Sequence, residues 1–301
     1  MATRTLLAPI FINHATVPLG GIISHKSGPV RSLMRRGMDG QFHYTVQSQR
    51  MRSAAAELRT CDIGGALTKL NGSTDLPAVL LDGTLGYVSY FGKLATGLPE
   101  FAAGSVHEKR TALNGTMYCD EISWKEGDDV EMSIRGLFSS ADGIVEPLVY
   151  ANAALPTLPV STAAWDLMSC TLNGVAEVDV SGFSLRFDPK LSLRKHPGSV
   201  LARGVFGAGD PVDIALSLDV QNPSVFRTAG GAGGTGAVTL TLGNRANNGG
   251  LGTSTIVITL HSEWTLPEDE GAAIGSPLSG QVMCLPLFDG SNKPVTWVYT
   301  P

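Results

Sequence analysis

Tyr118–Gly143 reads YCDEISWKEGDDVEMSIRGLFSSADG, and apolar Ile122, Trp124, Val130, Met132 and Ile134 alternate with polar residues around a charged, Gly-containing turn. A period of two belongs to a strand, so the stretch is a β-hairpin. Successive side chains on a strand point to opposite faces, which gives a sheet with one buried and one wet face, as in an antiparallel meander. Nothing in the stretch has the makings of a catalytic centre.

The chain of 301 residues is long enough for one large β domain or two ordinary ones. Its 36 Gly and 17 Pro with only 16% charged residues fit a turn-rich folded chain, since a disordered one would be richer in charge. A net charge of -5 argues against a nucleic-acid clamp, which needs surplus Lys and Arg to displace counterions. Two local basic clusters, Arg31, Arg35 and Arg36, and Arg194, Lys195, His196 and Arg203, read as solvated loops. Cys61, Cys119, Cys170 and Cys284 are far apart and have no CxxC pair, so buried reduced thiols are expected. The N-terminal LLAPIFI run is interrupted by Pro9, Asn13, His14 and Pro18, and neither a signal peptide nor a transmembrane helix is expected.

Taken in order, residues 1–30 read as an extended arm with a short strand over 5–13, and 41–59 as strands despite the helix formers in MRSAAAELR. The run Thr60–Leu67 predicts a helix start: Asp62 can cap it, and Ile63, Ala66, Leu67 and Leu70 share a face, although Gly64 and Gly65 weaken it. Asn71-Gly72 would end that helix. Strands are expected over 78–81 and 84–94, joined by Asp82-Gly83, then a long loop over 95–115. The Pro-studded ANAALPTLPVSTAA, 151–164, reads as a linker. It divides the chain into an N-terminal β-rich domain, 1–150, and a C-terminal one, 151–301. In the second half, 167–172 and 175–187 flank Asn173-Gly174 as a hairpin whose parity slips near Gly182, the mark of a bulge. Further strands are expected over 212–220, 237–242, 255–261, 281–288 and 295–299. The fold class is therefore mainly β, an antiparallel sandwich or barrel with one short flanking helix, and internal duplication is one reading of its two similar halves.

Gly231-Ala232-Gly233-Gly234-Thr235-Gly236 satisfies the dinucleotide fingerprint by letter, but the alternating residues 237–242 after it predict a strand. A Rossmann loop must open a helix, so no cofactor is expected. There is no GxSxG elbow or HExxH, the six His are dispersed, and the carboxylates Glu126, Asp128, Asp129 and Glu268, Asp269, Glu270 lie in turns. Neither a catalytic nor a metal site is expected.

Three blocks together resemble the tail tube (major tail) proteins of tailed bacteriophages. They are Leu58-Arg59-Thr60-Cys61-Asp62-Ile63 with Gly64–Leu67, Asp120–Trp124 through Ala141-Asp142-Gly143, and Cys170–Val175 followed by a strand pair and Gly209-Asp210-Pro211. The resemblance implies a virion structural protein, not an enzyme, whose copies form stacked rings that build a conduit for genome delivery. Duplication would halve the copies per ring. Implied partners are the chain itself and the tape-measure, tail-tip and tail-terminator proteins, with DNA passing without specific binding. The implied place is the virion tail, assembled in the host cytoplasm. On that reading Leu98, Phe101 and Val106 of the long loop are candidates for contact between rings. The alternatives are a head decoration or tail-terminator protein, or a carbohydrate-binding β-sandwich, which would expose aromatic platforms; Trp124 and Trp297 instead fall in phase with apolar neighbours.

Overall fold

The computed structural model describes residues 6–11, 19–36, 46–70, 87–91, 106–112, 114–154, 164–174, 176–207, 212–221, 223, 225–226, 233–245, 251–265, 280–287, 290–291 and 293–301. Strands dominate. They are β1 (Leu6–Phe11), β2 (Ile22–Arg36), β3 (Val46–Thr60), β4 (Tyr87–Phe91), β5 (Val106–Ala112), β6 (Gly115–Lys125), β7 (Glu131–Phe138), β8 (Val149–Ala154) and β9 (Ala164–Leu172). There follow β10 (Ala176–Glu177), β11 (Val180–Asp188), β12 (Leu191–Lys195), β13 (Ala202–Gly207), β14 (Asp213–Val220), β15 (Gly233–Arg245), β16 (Leu251–Thr265), β17 (Gly280–Pro286) and β18 (Val295–Thr300). The single helix among the described residues, α1 (Ile63–Leu70), is too short to cross a membrane.

The hairpin over 118–143 forms as its alternation demands. β6 pairs with β7 through Ile122↔Met132 and Cys119↔Ile134, and the register skips Asp120 between them. That extra residue keeps Met117 and Cys119 on the same buried face as Ile122. The hairpin sits inside a 12-stranded antiparallel sheet of order β10-β9-β15-β16-β17-β14-β11-β6-β7-β3-β2, with β18 on β16. The inward side chains of both chain halves form one core, from Leu58, Ile134 and Phe138 to Leu240, Ile258 and Trp297. The sheet curls back over this core, because the Val130 amide donates to the Trp165 carbonyl at 2.8 Å and Trp124 Nε1 to Asp166 Oδ1 at 2.8 Å. A smaller sheet, β1-β4-β5-β8, and the β12–β13 hairpin complete the layers.

Several expectations need correction. β6 of the first half pairs directly with β11 of the second, so the sheet continues across the proposed division at 150. Val149–Ala154, expected in part as linker, is a strand on β5. The 95–115 loop is interrupted by β5, which uses its backbone groups in pairing with β4 and β8. In the 167–187 hairpin only Ala176 and Glu177 return along β9; β11 leaves to pair with β6 and β14, with the bulge falling between Val180 and Gly182. Neither basic cluster is simply a loop: Arg31, Arg35 and Arg36 lie on β2, Arg194 and Lys195 on β12, and Arg203 on β13. Asn71-Gly72, Asp82-Gly83, Gly209–Pro211 and Glu268–Glu270 lie outside the described residues.

Helix α1 explains its two glycines. Thr60 Oγ1 donates to the Gly20 carbonyl at 2.9 Å and accepts from the Asp62 amide at 3.0 Å, while Asp62 Oδ1 accepts from the Gly65 amide at 3.1 Å. This is an N-cap held at both ends. A Cβ on Gly64 would come within 3.0 Å of buried Trp165 and 3.3 Å of Tyr299, and one on Gly65 would meet the capping carboxylate at 2.4 Å. Gly64 thus lets the helix pack tightly on Trp165 and Tyr299, and Gly65 leaves room for the capping carboxylate.

Candidate assembly surfaces

The longest free backbone belongs to β2. Among the described residues its 15 residues pair in a ladder with β3 alone, and Ile23, Val30 and Leu33 along it are each about half exposed. A long edge strand with apolar side chains is a template for pairing with another chain. β7 pairs with β3 only from Ala54 to Thr60, so the far part of the β2–β3 hairpin extends past it as an arm.

The arm is basic. Residues 30–53 hold five Arg and one Asp in a chain of net charge -5. Arg31 stands opposite Arg52 across the strands, and Arg52 reaches Glu146 at 2.6 Å. The Arg52 amide also donates to the Val200 carbonyl at 2.7 Å, which brings the tip of β12–β13, with exposed Arg194, Lys195 and Arg203, beside the arm. Two basic clusters distant in sequence thus meet at one end of the sheet. A single parallel bridge from Arg52 to Leu201, just ahead of β13, brings them together, and no local pattern in the sequence encodes it.

The opposite end of the same strands is acidic. Glu126, Asp128 and Asp129 are exposed in the β6–β7 turn, and Asp179 and Asp219 are exposed at the adjoining ends of β11 and β14. The Glu126 amide donates to the Ser181 carbonyl at 2.9 Å, which fixes the turn against β11. The sequence showed the turn carboxylates but not their neighbours.

Between these ends the outward face of the sheet carries a groove of about 600 Å³ whose lining includes Lys26, Glu57, Arg59, Asp120, Glu121 and Arg135. The charges are paired across strands: Arg59 with Glu131, Arg135 with Asp120 at 3.1 Å, and Arg186 with Glu121 at 3.1 Å. Burial raises the Asp120 carboxyl above its ordinary pKa, against the pull of Arg135. Burial pushes Glu121 the same way, but hydrogen bonds from Ser184 and Arg186 win and hold it low.

The smaller sheet joins the large one through a polar cluster. His25 of β2 stacks on Tyr87 of β4 with ring centroids 5.8 Å apart, its Nε2 shares a hydrogen bond with the Tyr87 hydroxyl, and Tyr87 stacks on Phe138 at 5.3 Å. Arg110 of β5 donates to the Ser27 carbonyl at 2.7 Å and to Glu108 at 3.0 Å, and lies over the Tyr150 ring. Burial, with Arg110 adding to it, lowers the His25 pKa to about 4, and burial raises that of Tyr87 to about 12. The Tyr87 hydroxyl therefore keeps its proton beside a neutral His25, the two sharing one hydrogen bond.

One apolar feature escaped the sequence reading. Ile144 is 83% exposed and Val145 53%. Asp142 Oδ1 accepts from both of their amides at 2.8 and 2.9 Å, and Ser199 Oγ donates to the Gly143 carbonyl at 2.8 Å. The loop is thus tied while its aliphatic side chains face water. Of the expected loop contacts, Leu98 and Phe101 lie outside the described residues and Val106 begins β5. All four cysteines are free thiols, buried except half-buried Cys61, and among the described residues no group of His, Cys, Asp and Glu could hold a metal.

Gly233–Gly236 of the fingerprint lie in β15, which pairs along β16, so these residues do not open a helix. Trp165, Trp264 and Trp297 are buried, and Trp124 packs against the core. No protein-family model matches the chain, and no curated protein matches it.

Proposed function

We propose that this protein is a virion structural subunit whose copies join into rings and stack as a phage tail tube, a conduit for genome delivery. The observation that carries the reading is the 15-residue edge of β2, which among the described residues is paired on one side, in a large antiparallel sheet with one buried and one charged face. Such an edge is satisfied by another copy, and a closed ring satisfies it without unlimited lateral growth. The three sequence blocks supply the family, and through it the tape-measure, tip and terminator proteins as partners in the virion. Burial of the tryptophans favours this reading over glycan binding, which draws on exposed aromatic rings. Negative-stain electron microscopy of the purified protein, with light scattering to follow growth, tests it. Rings or hollow tubes are expected; a monomer under crowding, found on particles only as isolated copies on the head, would support a decoration protein instead.

A further inference from the structure

The charge of the large sheet is uneven along the strand direction: Asp142, Glu146, Asp188 and Asp213 stand at the end rich in Arg and Lys, and Arg59 and Arg245 stand near the end rich in carboxylates, yet each end keeps an excess of its own sign. At one end stand the β2–β3 arm and the β12–β13 tip, which together bring Arg31, Arg50, Arg52, Arg194, Lys195 and Arg203 to one region. At the other end stand exposed Glu126, Asp128, Asp129, Asp179 and Asp219, with Lys125, Arg59 and Arg245 the neighbouring bases, the last two already paired with Glu131 and Asp166. Because the arm alone, residues 30–53, sums to plus four in a chain of -5, the rest of the molecule carries minus nine. β3 itself fixes the polarity: it runs from the arm at Val46 to Thr60, which pairs with Met132 just past the acidic turn.

We propose that the basic arm of one copy docks on the acidic β6–β7 turn of a second copy, displaced along the strand direction. The proposal rests on the self-assembly reading and names the surfaces that make one of its contacts. Arg31 and Arg52 face each other across paired strands, and like charges so placed repel. Within the chain Glu146 relieves Arg52, which shows the kind of group the arm accepts. A second copy offers five exposed carboxylates, and because basic and acidic surfaces lie at opposite ends, the contact is head-to-tail and repeats. Duplex DNA is the competing anionic partner. The acidic remainder of the chain opposes its approach, whereas the same acidity attracts the arm of another copy.

The test uses the full chain in three forms: wild type, an arm-reversed variant (Arg31→Glu, Arg35→Glu, Arg36→Glu, Arg50→Glu) and a turn-reversed variant (Glu126→Lys, Asp128→Lys, Asp129→Lys). Circular dichroism and thermal melting check that each is folded. Wild type is expected to assemble at 0.05 M NaCl and come apart towards 1 M, where charges are screened beyond about 3 Å. Each variant alone should assemble at least about tenfold more slowly, and an equimolar mixture of the two should recover the wild-type rate, because reversed arm meets reversed turn. Wild-type assembly indifferent to salt, or an arm-reversed variant that assembles like wild type, overturns the docking and leaves self-assembly standing. Wild type that stays monomeric at every salt concentration overturns self-assembly, and the docking with it. If duplex DNA is retarded by wild type and released by arm reversal while assembly is unchanged, the arm belongs to nucleic acid and the docking is wrong. The salt titration of wild type decides the matter even if both variants fail to fold.

Discussion

His25 ties its sheet to its neighbour as a neutral ring: burial and the facing Arg110 guanidinium hold its pKa down to about 4 from an ordinary 6.5. The other groups facing it are the Tyr87 hydroxyl and, behind Arg110, Glu108. Because the folded-state pKa is depressed, the unfolded chain takes up the proton first as pH falls. The stability His25 supports is thus whole above about pH 6.5, declines below it and is spent near pH 4, a loss of about 3 kcal/mol. Urea unfolding at pH 7, 5.5 and 4 should show that decline, and His25→Gln, which keeps an acceptor for Tyr87 but does not titrate, should flatten it. An equal decline in the variant would place the acid sensitivity elsewhere. Asp166 makes the second decisive residue-scale contact, since it accepts from Trp124 Nε1 at 2.8 Å and from Arg245 and so ties β9 to β6 and β15. Asp166→Ala leaves a half-buried indole donor without its acceptor and should cost about 2 kcal/mol, with a red shift in tryptophan emission. Unchanged stability and emission would mean that the sheet closes without this clasp.

At the scale of the element, α1 turns a propensity argument round. Alanine normally gains about 1 kcal/mol over glycine inside a helix. At Gly64 the added methyl comes within 3.0 Å of Trp165, a fully buried ring that must shift to admit it, so Gly64→Ala should destabilise the protein despite the better propensity. At Gly65 the obstacle is the flexible Asp62 carboxylate, which can swing away but then loses the cap, worth about 1 kcal/mol. Gain and loss nearly cancel there, so Gly65→Ala should be close to neutral. Chemical denaturation of the two variants measures the contrast, and two equal stabilisations would remove tertiary packing as the reason for the glycines. Legibility in the sequence follows the same division between local and distant causes. The β6–β7 alternation, the Asp62 cap and the Gly182 bulge were readable because each is a pattern within a few residues. The departure of β11 from β9 to pair with β6, and the meeting of Arg52 with Val200, depend on strand order, which a period of two does not specify. β5 was missed for a related reason: VHEKRTA lacks clean alternation because His107 and Glu108 are both buried, on opposite faces of one strand.

The whole molecule combines one continuous core with an unfinished edge. Its sheet passes through both halves of the chain and curls over the buried side chains, so among the described residues β7 and β3 have neighbours on both sides while β2 has one. Natural monomers blunt such an edge with charge, proline or a covering loop. Here β2 carries Lys26, Pro29, Arg31, Arg35 and Arg36, and Arg110 of β5 reaches the Ser27 carbonyl, yet Ile23, Val30 and Leu33 stay about half exposed along it. A contact between copies of ordinary size buries about 800 Å² on each partner, and backbone pairing along the edge with those three side chains packed on a neighbour would form its centre. Ile23→Lys with Val30→Lys puts two charges on that edge at positions already open to water, so the fold should lose no more than about 0.5 kcal/mol per site. Lateral association should fall sharply, because each lysine would have to be desolvated or bent away when a second copy approaches. Sedimentation velocity and negative stain at matched concentration separate the outcomes. A folded double variant that yields only monomers or single-file chains supports the β2 edge as the lateral contact of the ring, and one that forms rings like wild type removes β2 from that interface.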